Sequence, residues 1–376
     1  MRMRPLLIAA LLTSLACAAF AQTTPEELAG ALQAAARSGD AAAYQKLLHS
    51  EGTFAVEGPN FAADLDRVPQ PSAVFRFSEV AVEGDQARAN LNLSWERQPE
   101  QVSRVSLPVT LFKAGAVWRY GGEALRTLPA GEYSLLALDV SGLPLRAAAI
   151  APLLSRAAER VRDTLGLKVP NAATIKVYPN MTVLSASVAL SMQPVGGWNE
   201  PGESIKLVLP GSANPDQELL RVLSHEFTHL SVSGAAGQRR DKRIPWWLHE
   251  GLADFVARAY WTPGAAESRR ERVAGYAKGD WMPLSDLTDF NAVPESRWKY
   301  VYAQGLGLVE FLAETKGKQA SVKLALAFAE VGEADGAARA LGFDSFADLE
   351  TQVRAWLVMR GSSVAISSDT AEAESR

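Results

Sequence analysis

Two neighbouring stretches of this chain commit their side chains to one centre, and that constrains the fold more than anything else in the sequence. His225-Glu226-Phe227-Thr228-His229 sets two histidines four residues apart. On a helix this separation stacks both imidazoles on one face, at a spacing suited to two ligands of one tetrahedral zinc ion. Glu226 then falls about 100° around the helix, able to reach a metal-bound water rather than the metal itself.

The stretch 216–231 holds neither proline nor glycine and is predicted to be that helix, ended by Gly234. Leu219, Leu220, Leu223, Phe227 and Leu230 fall in a band roughly 120–220° from His225, almost opposite the two histidines. One side is built to pack on a core and the other to face a cleft. A helix whose histidines merely bond their neighbours is the competing reading, and a third ligand weighs against it. Glu250 is the candidate, in Ile244-Pro245-Trp246-Trp247-Leu248-His249-Glu250-Gly251-Leu252-Ala253-Asp254, where Pro245 marks the first turn of a second helix. Leu248, Leu252, Phe255 and Ala259 share the face away from Glu250, while Asp254 lies one turn beyond it on the same side. The basic loop 234–243 is long enough for this helix to return antiparallel, so that Glu250 meets the histidines. Asp254 is then placed to accept a proton from the far nitrogen of a ligating histidine, with His225 the expected partner.

The rest of the chain bounds the setting. Its 376 residues, 48% hydrophobic and 21% charged, predict two or three folded units and exclude disorder, collagen and a disulfide-stapled miniprotein. Lysine and arginine total 38 against 42 acidic residues, so no basic surplus faces a phosphate backbone and nucleic acid is not an expected partner. Arg2 and Arg4, an apolar run over 6–15 and Ala19-Phe20-Ala21 make residues 1–21 a signal peptide, with a periplasmic or secreted destination. Lipid anchoring at Cys17 is the alternative. Cys17 is the single cysteine, so a mature chain cut after Ala21 has no disulfide. No later apolar run is long enough to cross a bilayer.

Residues 22–125 are expected to form a small α+β accessory domain. A helix opens at Thr24-Pro25 with Glu26 and Glu27 in its first turn, a second covers 41–49, and strands follow at 74–82, 86–95, 102–112 and 117–120. This order resembles the nuclear-transport-factor-like fold. Gly121, Gly122, Pro129 and Gly131 suggest a boundary at 121–131. The second unit, 126–360, is read as strand 133–140, helix 145–165, strands 174–178 and 204–209, and helices from 216 onward. Residues 361–376, serine-rich and acidic, read as a disordered tail.

H-E-x-x-H followed about twenty residues later by E-G-x-A-x resembles the gluzincin metallopeptidases, the thermolysin-like or peptidase MA-like catalytic domains, over about 128–359. The resemblance implies an α+β catalytic domain with a small sheet and a mostly helical second half. It implies His225, His229 and Glu250 as Zn2+ ligands, Glu226 as general base and proton shuttle, and Asp254 as the aspartate that follows the ligand glutamate. It further implies an edge strand that pairs with substrate, here 204–209, and a tyrosine that stabilises the oxyanion, Tyr302 first and Tyr300 second. Metzincins are excluded because Val232 and Ala235 stand where their glycine and third histidine belong. The G-x-M-E-N motif of gluzincin aminopeptidases has no match, which favours an endopeptidase acting on a peptide or protein substrate. Hydrolysis of something other than a peptide uses the same metal chemistry. A catalytically silent metallopeptidase-like binding or scaffolding protein is the alternative of another class, but it has no need for Glu226 between two ligands.

Other residues have plainer readings. His249 lies about 100° around the helix from Glu250 and is expected to pack. Trp198, Trp246, Trp247, Trp261, Trp281 and Trp298 belong to the core by default, with some free to line a pocket. Arg239, Arg240, Lys242 and Arg243 read as a solvated loop rather than a site for acidic substrate or lipid. Glu218 is expected to be exposed. The oligomeric state is not written in the sequence.

Overall fold

The computed structural model describes residues 22–171, 173–200 and 202–373, with side chains through 361. The expected signal peptide and Cys17 lie outside the described residues.

The first unit is α1 (Pro25–Ser38), α2 (Ala41–Lys46) and α3 (Thr53–Arg67), followed by β1 (Val74–Glu83), β2 (Gln86–Gln98), β3 (Gln101–Ala114) and β4 (Val117–Glu123). Thr24 caps α1 by accepting from the Glu27 amide while the Glu27 carboxylate reaches back, and Pro25 takes the first turn. The strands form one antiparallel sheet in chain order. On β2, Ala87, Ala89, Leu91, Leu93 and Trp95 are buried while the residues between them turn outward. That period of two gives the sheet one core face, which packs on Leu28, Leu32, Phe61 and Leu65 of the helices.

Helix α3 is absent from the sequence reading. Gly58-Pro59 sits at its centre and reads as a break, because proline cannot donate the helical hydrogen bond. Tertiary packing overrides that signal: Gly58 lies against the Leu48 and Phe54 side chains, where an added methyl group would have to displace the end of Leu48.

The expected linker is also a strand. β5 (Leu125–Leu128) begins two residues after β4 and opens a second sheet with β6 (Ser134–Leu138). There follow α4 (Leu143–Ala147), α5 (Ala151–Leu165), β7 (Thr174–Tyr178), α6 (Met181–Val188), β8 (Gly197–Trp198) and β9 (Ile205–Val208). The sheet order is β5-β6-β7-β9-β8, parallel across β6, β7 and β9 and antiparallel at both edges. This corrects the assignment of the substrate edge to 204–209. β9 is enclosed by β7 and β8, so the edge on this side of the sheet is the two-residue β8, too short to leave an alternating pattern in the sequence.

Helices complete the chain: α7 (Pro215–Ala236), α8 (Gln238–Asp241), α9 (Trp246–Ala257), α10 (Pro263–Gly279), α11 (Trp298–Thr315), α12 (Ala320–Val331), α13 (Ala334–Arg339) and α14 (Phe346–Ala373). α7 runs through Gly234 and stops at Gly237, whose φ of 82° suits a residue without Cβ. The loop expected at 234–243 is therefore largely helical. α14 carries helical backbone through Ala373, past the expected start of the tail at 361; no proline interrupts it, and Gly361 lets it approach Ala274 of α10. Among the described residues no helix is long and apolar enough to cross a membrane.

Buried charge joins the two units. Lys176 of β7 and Lys206 of β9 stand opposite each other in register, both buried. Like charges at this separation need intervening anions. Glu57 of α3 supplies one, 2.6 Å from the Lys176 ammonium and 3.3 Å from that of Lys206, and it also accepts from the Ser204 hydroxyl. Glu123 and Glu203 complete the set, and Tyr178 donates to Glu123 at 2.9 Å. Glu57→Ala leaves two buried ammonium groups short of charge, so chemical denaturation should show a loss of about 3–5 kcal/mol.

Candidate metal centre

α7 lies between α5 and α9, burying Leu219, Leu220, Leu223 and Phe227 and turning His225 and His229 the other way. α9 buries Leu248, Leu252 and Phe255 and returns Glu250 toward the same point. Its spacing from α11 is set by glycine: the Cα of Gly251 meets the Gly305 backbone, and Gly305 meets the carbonyl of Trp247. Backbones this close exclude any Cβ, and they bring Tyr302 of α11 beside Glu250.

His225 Nε2 and His229 Nε2 are 3.2 Å apart, and Glu250 Oε2 lies 3.2 Å from the first and 3.7 Å from the second. Donors about 2.0–2.1 Å from a tetrahedral zinc are separated by roughly 3.3 Å, so these three atoms have the spacing the ion requires. Glu250 Oε2 is buried without a hydrogen-bond partner, while Oε1 accepts from Trp246 Nε1 at 2.9 Å. One carboxylate oxygen is thus held and the other left for an ion. Among the described residues, these three side chains form the group able to hold a metal.

Asp254 lies beside His225, with Oδ1 3.3 Å from Nδ1, a long approach short of an aligned hydrogen bond. Its other oxygen is gripped by Arg269 at 2.6 Å, and that guanidinium stacks 4.2 Å from the Trp261 ring centre. Trp246 is recoverable from sequence as the residue one turn before Glu250. Arg269 comes from α10 and left no local signal.

Charge is distributed unequally across the centre. Burial disfavours a charged His225, but Asp254 and Glu250 outweigh it and raise the imidazole to about 10. Burial pushes His229 down to about 3. The two histidines hold Glu250 down to about 2 against burial. The three metal-free ligands therefore carry one proton between them, on His225, where a metal ligand must be neutral. Below a value of about 10 that proton competes with the ion, so raising pH favours the metal. Zinc affinity, read by competition with a coloured chelator, should rise roughly tenfold per pH unit between about pH 6 and pH 9, with about one proton released.

Glu226 is buried with its Oε1 against the bare Cα of Gly197 on β8, where a Cβ would stand 2.6 Å away. Burial, reinforced by Glu250, pushes its carboxyl up to about 7 although His225 and Arg221 pull it down. Tyr302 shares the cleft with Glu226, and burial raises its phenol well above the usual tyrosine value, keeping it a donor. Tyr300 does not line the cleft; it donates to Asp280 at 2.6 Å. The cleft comprises cavities of about 710 and 810 Å³ that meet at His225 and Glu226. Trp198, Trp246, Phe290 and Trp298 form an aromatic wall, with ring centres 5.1–5.6 Å apart in successive pairs. Phe290 gave no signal in the sequence.

The remaining candidates are outside the ligand group, although His249 and Glu218 line the cleft. His249 faces Asp241, 3.2 Å away, and stays outside the ligand group. Trp247 is core. Arg240 pairs with Glu330 and Arg243 donates to the end of α12, while Lys242 and Arg243 also line the cavity that holds the metal centre. Glu218 is half-buried and paired with Arg221 at 2.6 Å rather than free in solvent.

No protein-family profile matches the chain, and no curated protein matches it in sequence. Among solved structures it is similar to an M1 zinc metallopeptidase from Deinococcus radiodurans, at 14% identity and a TM-score of 0.36 over 77% of this chain. A point mutant of that enzyme matches at 15% and 0.38, again over 77%. The chain spans 62% of the length of each. What the site can do rests on its own geometry.

Proposed function

We propose that the chain is an exported zinc-dependent peptidase that cuts within an extended polypeptide. The observation carrying this is the trio of ligand atoms at tetrahedral spacing, with the carboxyl of Glu226 in the adjoining wall. Zinc held by His225, His229 and Glu250 would make a bound water acidic and polarise a carbonyl. Glu226, titrating near 7, is suited to take the proton of the attacking water and deliver it to the departing amine. Tyr302, held as a neutral phenol, donates a hydrogen bond to the developing oxyanion. Asp254, fixed by Arg269, orients His225, and Trp246 orients Glu250. Cavities on both sides of Glu226 let a substrate continue past the scissile bond in either direction, which favours an endopeptidase. Export rests on the charged, apolar and Ala19-Phe20-Ala21 segments of residues 1–21.

Metal analysis of the chain purified without residues 1–21, paired with peptide-library digestion, tests the reading. About one zinc per chain is expected, with cleavage abolished by a chelator and restored by Zn2+. Zinc without any cleavage would favour a scaffold, and cleavage indifferent to chelation would reject the metal mechanism.

A further inference from the structure

The cleft does not end within the catalytic unit. A third cavity, about 470 Å³, shares Asn60, Trp198, Glu200, Phe290, Asn291 and Trp298 with the cavity that holds the metal centre. Six shared residues make the two successive lengths of one groove. Its far wall is α3 of the first unit. Asn60, Ala63 and Arg67 are exposed there and, spaced three and four apart, form a single stripe along the helix.

This wall is fixed in place. Asn60 Nδ2 donates to Glu203 at 2.6 Å, the Ser191 hydroxyl donates to Asp64 at 2.6 Å, and Trp95 Nε1 donates to the Leu190 carbonyl at 2.8 Å. Behind them lies the buried pair of Lys176 and Glu57. Such a groove is a preformed surface rather than a gap between loosely tethered bodies. Its lining combines apolar groups, such as Met192 and Val293, with polar ones, as suits a peptide whose backbone and side chains both need partners.

We infer that α3 is a remote subsite of the peptidase, occupied by the extended residues of a substrate already engaged at the metal centre. The inference rests on the peptidase reading and deepens it, since it makes the first unit a selector of long chains. An extended peptide advances about 3.3 Å per residue, so a longer substrate continues past Asn60, which already lines the metal cavity, to Ala63 and Arg67, which line only the third. A short peptide held at the metal centre stops before those two residues.

The test compares the zinc-loaded wild type with Ala63→Trp, which fills the groove from an exposed position. Two quenched-fluorescence peptides share one scissile bond, with lengths of about four and about ten residues, roughly 13 and 33 Å extended. The wild type should show the lower KM for the long peptide. Ala63→Trp should erase that advantage, changing the ratio of the two KM values by about tenfold with little change in kcat. If Ala63→Trp does not fold, Arg67→Trp, one turn along the same stripe, carries the same expectation. A wild-type ratio near one, or a variant that keeps the wild-type ratio, overturns the subsite, as does an equal loss on both peptides. Binding of the labelled long peptide to Glu226→Gln, with and without Ala63→Trp, needs no turnover. Absence of hydrolysis therefore rejects the peptidase reading, while tenfold weaker binding or none decides the subsite on its own.

Discussion

Glu226→Gln is expected to keep its zinc and lose peptide hydrolysis by a factor of about 10²–10⁴. Glutamine has the shape of glutamate, so it still fits against Gly197 of β8 and the cleft keeps its form. It cannot accept the proton that the attacking water must lose. Glu226 is outside the group of ligand atoms, so metal content should be that of the wild type. Zinc analysis alongside kcat separates the two effects. Unchanged kcat would remove Glu226 from the mechanism, and loss of zinc would make it a ligand.

Glu250→Ala should act at the other level, on the ion itself. It removes one of three donors and the anion that helps hold the His225 proton. Removing an outer-sphere partner of a metal typically costs 10–100-fold in affinity, so loss of a direct ligand should exceed about 100-fold. Asp254→Asn provides the internal scale, since Asp254 contacts His225 and not the ion position. Chelator competition on both variants should place Asp254→Asn between wild type and Glu250→Ala. Wild-type affinity in Glu250→Ala would end the three-ligand assignment.

The two-faced α7 was legible because its burial repeats with the helical period, the leucines lying opposite the histidines, whereas α9 is buried on nearly every side, Glu250 and Asp254 included, and its faces were legible from residue type alone. The four strands of the first sheet were legible for the matching reason, alternation of buried and outward residues on β2 and β3. The reading failed where a local signal was outvoted or missing. Gly58-Pro59 says break, yet α3 persists because Phe54, Phe61 and Leu65 bury themselves against the sheet. Gly234 says stop, yet α7 continues to Ala236 because the following Gly237 provides the left-handed residue. β8 is two residues long and has no period at all. The parts of the site contributed from a distance, Arg269 behind Asp254 and Phe290 in the aromatic wall, depend on packing that no window of sequence contains.

The contact between Gly251 and Gly305 has a bearing on how this protein can change. These positions line neither cavity of the cleft and are outside the ligand group, yet a single methyl at either one would act as a wedge between the helices that carry Glu250 and Tyr302. Mutational fragility should therefore extend well behind the chemistry, and random variants that fold and load metal but turn over poorly should cluster at this crossing.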